Sequence, residues 1–348
     1  MLRSVFRVVF AFMLLFLLAL PASAAQTSST DQDVPPAVQV VQDVGPAVVT
    51  VINEQTVQSF GTTSPELQPA GAGTGFIIDT DGHIVTNWHV VDGGEQFLVI
   101  FADGTRADAE LIGSDPISDL AVVKVDGEVP GTVAFGDSSA LLPGQPVLAI
   151  GSPLGTFSNT VTEGIVSAIG RNFPYTQQGP QVYTNLIQHD AAINAGNSGG
   201  PLLNMQGEVI GVNTLGIPSE NGQPVQGLFF AIPSNSVKEI TSELINTGKV
   251  VYPFVGVTYV PVTPSLAAQY DLDVDYGIYV AEVSPDSPAA DAGIQQDDII
   301  LEFDGTKIDA TNIFPVLLFQ HKPGDDVEVV IHRDGEDSTV TITLSERP

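Results

Sequence analysis

The stretch "NAGNSGGPLLN", residues 194–204, sets one hydroxyl, Ser198, among Gly196, Gly199 and Gly200, and Pro201 closes the run. Glycine reaches left-handed conformations without steric cost, and Asn, Ser and Pro are ordinary turn residues, so a plain turn is one reading. The other is a nucleophile on a tight loop, where small neighbours let a substrate backbone approach and backbone N–H groups converge on a developing oxyanion. Taken alone the stretch favours the turn, because short motifs match by chance. A nucleophile requires a base and an acid elsewhere in the chain.

Five histidines are present: His83, His89, His189, His321 and His332. His83 lies in a hairpin turn and His321 and His332 in a later unit, so each reads as a surface residue. His89 sits in "IVTNWHVVDGG", straight after a buried-looking strand that would hold a functional side chain rigidly. An acid stands in "SDPISDLAVVKV", where Asp119 immediately precedes an apolar strand; Asp115, in the Pro-bearing turn, reads as turn chemistry. A carboxylate at the mouth of a buried strand needs a partner, and an imidazole N–H would serve.

Outward from these residues, short β-branched runs alternate with glycine-bearing turns between Ala47 and Ile232: "AVVTVI", "GFIID", "HIVTN", "FLVIF", "LAVVKV", "VLAIG", "GEVIGVNT" and "LFFAI". Long helical patterns are missing between them, which predicts antiparallel barrels or sandwiches rather than βαβ units. "TDG", Thr80–Gly82, reads as the turn joining "GFIID" to "HIVTN". The first unit ends in one helix, "PSNSVKEITSELINTG", with Ser234 or Ser236 as cap, Val237, Ile240 and Leu244 on one face, and Gly248 at the left-handed end. In the second unit, residues 252–346, a short strand at "FVGV" precedes strands "GIYVAEV" and "DDIILEF". A helix near Asn312–Gln320, with Pro315 confined to its first turn, and the hairpin "DVEVVIHRDGEDSTVTITL" complete it.

The formal net charge of −30, from 11 Lys+Arg against 41 Asp+Glu, makes nucleic acid a poor partner and anionic membrane surfaces repulsive. With no cysteine, there is neither disulfide nor thiolate site, so stability must come from packing. The N-terminus "MLRSVFRVVFAFMLLFLLALPASAAQ" reads as a signal peptide over residues 1–24: Arg3 and Arg7, an apolar run from Val8 to Leu20, and Ala22-Ser23-Ala24 as cleavage site. Residues 25–37, polar with a Pro pair, read as a linker. "GAGTGF", residues 71–76, lacks the helix a phosphate-binding fingerprint needs and reads as a strand entry. "DLDVDYG", residues 271–277, has Tyr276 where a calcium loop needs glycine and reads as a solvated acidic turn; no His or carboxylate cluster has zinc spacing.

"TNWHVV" around His89, "DPISDLAVVKV" around Asp119 and "DAAINAGNSGGPLLN" around Ser198, in the order His, Asp, Ser, together resemble the trypsin-like serine endopeptidases of the HtrA (Deg) family. "FAIPSN" and the signal peptide add to the resemblance, which spans nearly all of residues 38–346. It implies a mainly β fold: two six-stranded antiparallel barrels over 38–248, then a small α+β PDZ domain over 252–346. His89 and Asp119 would come from the first barrel and Ser198 from the second. Gly196, Asn197 and Ser198 would form the oxyanion hole, and Ala192, Phe229, Phe230 and Ala231 would bind substrate. Phe229 stands where the family generally has a small residue, which predicts a shallower primary pocket. Ala195 stands where the family often has Pro or a larger residue, and His189 where a small polar one is usual. The PDZ carboxylate loop would be Pro253, Phe254, Val255, Gly256 and Val257. The implied function is ATP-independent endoproteolysis of misfolded proteins outside the cytoplasm, without cofactor or metal. The implied partners are unfolded polypeptides, C-terminal peptides at the PDZ domain, and two further copies in a homotrimer. The alternatives are a PDZ adaptor or chaperone that has lost turnover, and a membrane-anchored protease that cuts one specific partner.

Overall fold

The β-branched runs fold as antiparallel strands, and those strands close on themselves twice. The computed structural model describes residues 34–57, 66–152, 160–173, 181–194, 196–216, 219–220, 223–224 and 226–348. The signal segment, residues 25–33 of the linker, and Ala195 lie outside the described residues. Helix α1 (Pro36–Val44) begins within the segment read as linker and buries Val40 and Val44.

The first barrel runs β1 (Val48–Val57), β2 (Glu66–Ile77), β3 (His83–Thr86), then β6 (Leu120–Val125), β5 (Arg106–Asp115) and β4 (Gln96–Ile100), which returns to β1. The second runs β10 (Pro201–Leu203), β11 (Val209–Gly216), β14 (Phe229–Pro233), β9 (Tyr183–His189), β8 (Thr160–Phe173) and β7 (Pro146–Gly151), which returns to β10. A two-stranded ribbon, β12 (Ser219–Glu220) and β13 (Gln223–Pro224), projects between β11 and β14. One apolar cluster passes from Val51, Phe76 and Val123 of the first barrel to Ile150, Leu186, Val212 and Phe230 of the second. The barrels therefore share an interior, and in a chain without disulfides that burial does the fixing, at about 1.5–3 kcal/mol per large buried side chain.

"GFIID" and "HIVTN" pair as read, with Phe76 opposite Val85 and Gly82 at φ +87° in the turn. The glycine run of "GAGTGF" lies in β2, as a strand. Helix α3 (Ser234–Thr247) buries Val237 and Leu244 and ends at Gly248 with φ +77°. Its start differs from the expectation: neither serine caps it. Pro233 holds the cap position, and the Ser234 hydroxyl is drawn away to donate to the Gly136 carbonyl at 2.8 Å. Burial against that loop outweighs a cap that the exposed end of a helix would have favoured.

The second unit is a six-stranded sheet whose main path runs β16 (Val257–Pro261), β17 (Ile278–Val283), β18 (Ile299–Phe303), β20 (Asp326–Arg333) and β21 (Glu336–Thr343). The sixth, β19 (Thr306–Lys307), pairs with β18. The single strand expected at "FVGV" is broken at Gly256, φ +90°, into β15 (Pro253–Phe254) and β16; β15 pairs instead with β22 (Ser345–Glu346). Helix α4 (Pro264–Tyr270) covers one face and ends at Asp271 in the acidic turn; α5 (Pro288–Asp291) is a single turn. Helix α6 (Phe314–Leu318) covers the other face, shorter than the predicted Asn312–Gln320, with Pro315 in its first turn. Tyr252 joins this unit to the first barrel by donating its hydroxyl to Asp115 Oδ2 at 2.5 Å. Asp115 also accepts from the N–H groups of Ile117 and Ser118, the turn role read from the sequence.

Candidate active site

His89 stands on helix α2 (Trp88–Val91), the single turn after β3. The backbone sews this turn to the loop of Asp119: Trp88 N–H and Asn87 Nδ2 both donate to the Asp119 carbonyl, at 3.1 and 2.8 Å. His89 Nδ1 then lies 3.0 and 2.9 Å from the two Asp119 carboxylate oxygens, and the His89 N–H donates to Oδ1 at 3.0 Å. Asp119 has φ +60°, a conformation that costs energy in a residue with a side chain and marks functional sites. It is fully buried, and a buried carboxylate is costly unless its oxygens are bonded.

The second barrel supplies the remaining donors. Tyr183 on β9 donates its hydroxyl to Asp119 Oδ2 at 2.8 Å, and Thr214 on β11 donates to the same oxygen at 2.5 Å. Burial, and then the Asp119 charge beside it, push the Tyr183 phenol far above its ordinary value, so it remains a donor at any physiological pH. Neither residue was singled out in the sequence, where nothing marks a Tyr or Thr on a strand as the partner of a distant acid.

The loop of Ser198 packs directly on β2. Thr74 N–H donates to the Ser198 carbonyl at 2.9 Å, and Thr74 Oγ1 donates to the Gly196 carbonyl at 2.5 Å. The glycines make this approach possible: a Cβ on Gly199 would fall 2.2 Å from the Thr74 carbonyl, and one on Gly200 2.4 Å from the Ile150 carbonyl. Asn197, between the two prospective oxyanion donors, is almost wholly buried, and neither of its side-chain polar atoms is hydrogen-bonded; Gly151 makes room for it, since a Cβ there would fall 2.4 Å from Asn197 Oδ1. Gly196 has φ +102°. Among the described residues, neither the Gly196 nor the Ser198 N–H donates a hydrogen bond, and Ser198 Oγ makes none to His89. The structure thus brings His89 and Asp119 into contact and leaves the Ser198 hydroxyl without a bond to His89.

Of the prospective substrate-binding residues, Ala192 is exposed and Phe229 half-buried, while Phe230 and Ala231 are buried. Strand alternation is the reason for the split at Phe230, whose ring enters the interior shared by the barrels. Phe229 lies against Gly216, where an added Cβ would sit 3.1 Å from its ring, and beside His189, with ring centroids 6.1 Å apart. His189 is fully buried, beside the Ala191 backbone and the Asn213 side chain, and burial, only partly offset by the Asp190 charge and these neighbours, pushes its pKa down to about 4.

The other histidines are less exposed than expected. His83 pairs with Asp79 at 2.8 Å and His332 with Asp337 at 2.7 Å; His321 lies 3.7 Å from Asp304. Ligand atoms of Asp79, Asp81 and His83 fall within 4.8 Å of one another, although their sequence spacing is not that of a zinc site. Asp79 is committed to the hairpin turn, accepting from the Asp81 and His83 N–H groups.

Two family models match the chain: a trypsin-like peptidase domain over residues 73–212 and a PDZ domain over residues 253–344. A probable periplasmic serine endoprotease DegP-like of Halomonas elongata is 38% identical, covering 96% of this chain and 76% of the relative. The chain belongs to the HtrA/DegP family of serine endoproteases. The serine protease Do-like HtrA of Bacillus subtilis, another member, is 38% identical over 88% of this chain and 72% of its own. Among solved structures, an HtrA-type protease AlgW with decapeptide superimposes with TM-score 0.75 at 33% identity, covering 90% of this chain and 99% of that one. The two closed six-stranded barrels followed by a PDZ domain agree with that membership. Several relatives are named periplasmic, which supports an extracytoplasmic location.

Proposed function

We propose that this HtrA-type enzyme cleaves misfolded polypeptides through Ser198, His89 and Asp119, without ATP. Ser198 Oγ attacks the peptide carbonyl, His89 takes its proton and later returns it to the leaving amine, and Asp119 orients the ring and stabilises its charged form. The Gly196 and Ser198 N–H groups bind the oxyanion, with Asn197 shaping the loop; each such donor is worth about 2.7–4 kcal/mol in related chemistry. The observation that carries the reading is Asp119: a fully buried carboxylate, held by the His89 N–H and the Tyr183 and Thr214 hydroxyls, three donors from both barrels, and gripping the imidazole of a half-exposed histidine. Ala192 and Phe229 are proposed to line the primary pocket; Phe230 and Ala231 back it from the interior. Phe229, braced by Gly216 and His189, makes it shallow.

The PDZ loop is proposed to take a free C-terminus. The Val255 and Gly256 carbonyls turn inward to accept from Ala289 and Ser284 N–H, while among the described residues their own N–H groups donate to nothing, as an anion site requires. Export by residues 1–24 and assembly as a homotrimer complete the reading.

The test is turnover of casein by the wild type and S198A, with a serine-directed fluorophosphonate label. Cleavage and labelling by the wild type alone support the triad; a folded wild type that neither cleaves nor labels refutes it. Sedimentation of the mature chain decides the trimer.

A further inference from the structure

Asp119 reaches His89 at the end of a tight turn, and part of what holds that turn comes from the PDZ domain. Asp115 and Leu120 pair at the ends of β5 and β6, so residues 116–119 form the whole connection. The Asp115 carboxylate is buried and accepts from three donors. The Ile117 N–H bonds Oδ1 at 3.1 Å, while the Ser118 N–H, at 3.1 Å, and the Tyr252 hydroxyl, at 2.5 Å, share Oδ2. Tyr252 is itself fixed from the PDZ side: its carbonyl accepts from the Arg347 N–H at 3.0 Å, and its ring lies 5.0 Å from that of Phe319. Packing does not fill the space behind the turn, because Ile117, Ser118, Tyr183 and Tyr252 line a cavity of about 750 Å³ that they share with Glu239 and Phe319.

We propose that Tyr252 is a positioning residue for the reaction: its hydroxyl holds the Asp115 turn in the shape that delivers the Asp119 carboxylate to His89. The inference rests on the reading that Asp119 is the acid of the triad. Asp119 stands at φ +60°, and a residue with a side chain keeps that conformation only where its surroundings over-determine it. From one side its carbonyl accepts from Trp88 N–H and Asn87 Nδ2. From the other the turn is set by the Val182 N–H on the Ile117 carbonyl, at 2.9 Å, and by the Asp115 carboxylate on the Ile117 and Ser118 N–H groups. A buried carboxylate that loses a donor gains by turning towards water, and the cavity beside Ser118 offers that route. Its rotation would free the Ser118 N–H, directly before Asp119. Tyr183 and Tyr252 therefore support the acid differently: the first bonds the Asp119 carboxylate itself, and the second bonds the turn that presents it. Because Tyr252 bonds the barrel, the role is separate from capture of a C-terminus.

The experiment measures steady-state hydrolysis of an internally quenched octapeptide with an amidated C-terminus, so that carboxylate capture does not contribute. Y252F is expected to lower kcat about tenfold with KM within about twofold of the wild type, and to slow fluorophosphonate labelling of Ser198 by the same factor. D115N reaches the turn from the barrel side, putting an amide donor where the Ser118 N–H needs an acceptor, and is expected to do the same. The two changes together should cost no more than either alone, because they break one contact. With the acid removed in D119N, Y252F should slow labelling no further. The proposal is overturned if either Y252F or D115N keeps kcat within about twofold of the wild type, or if Y252F raises KM and leaves kcat unchanged. It is also overturned if Y252F slows D119N by the factor it imposes on the wild type, since its action then lies away from the acid. A large loss in D119N beside a wild-type rate in Y252F leaves the acid reading standing and removes Tyr252 alone. A wild-type kcat in D119N overturns the acid reading, and the positioning role with it.

Discussion

Asp119 concentrates the most consequence in one residue. T214V removes a hydroxyl that donates to the buried Asp119 carboxylate, so it should cost about 1–3 kcal/mol of stability and lower kcat by allowing the carboxylate to turn from His89. D119N should keep the fold and lose about 10⁴ in kcat, as expected when the amide stabilises the wrong imidazole tautomer; steady-state hydrolysis of a peptide substrate measures both variants. His189 gives a different signature. Its folded-state pKa of about 4 lies below an ordinary 6.5, so the unfolded chain binds the extra proton. The stability of the neutral form is complete above about pH 6.5 and is lost as pH falls towards 4, by about 3 kcal/mol in all. H189M should therefore lose less melting temperature than the wild type between pH 7 and 4.5; an equal loss in both would remove His189 as the cause.

At the scale of elements, β2 acts as an anvil for the nucleophile loop. Thr74 holds that loop through its N–H and its hydroxyl, and its hydroxyl in turn accepts from the Ser152 N–H. T74V keeps shape and loses both hydroxyl bonds, so kcat should fall about tenfold or more with little change in far-ultraviolet circular dichroism. G199A cannot be accommodated at φ +82° with the Thr74 carbonyl 2.2 Å from the new Cβ, and should unfold at lower denaturant. The glycines around Ser198 advertised a special loop in the sequence. Thr74 did not, because its importance lies in being opposite that loop across 122 residues of chain.

Across the whole molecule, the Tyr252–Asp115 bond crosses from PDZ domain to barrel, and Val182 N–H bonds the Ile117 carbonyl one residue before Tyr183 meets Asp119. Burial, and then Asp115, push the Tyr252 phenol far above its ordinary value, which keeps it a donor. Y252F should loosen the PDZ domain, detected as faster amide exchange over residues 250–257, while the barrels keep their protection.

The sequence by itself determined an antiparallel β unit followed by a second, smaller unit, and the candidate nucleophile, base and acid, because period-two patterning, glycine turns and short catalytic motifs are local and survive without coordinates; two barrels and a PDZ domain are what the family resemblance of those motifs implied. Only the tertiary structure decided what surrounds them. The Tyr183 and Thr214 hydroxyls behind Asp119, the Thr74 clamp, the His189–Phe229 ring contact and the Tyr259–Phe314 ring contact join segments far apart in the chain. Such contacts leave no periodic trace in composition; they exist once the shared core has fixed which strand faces which.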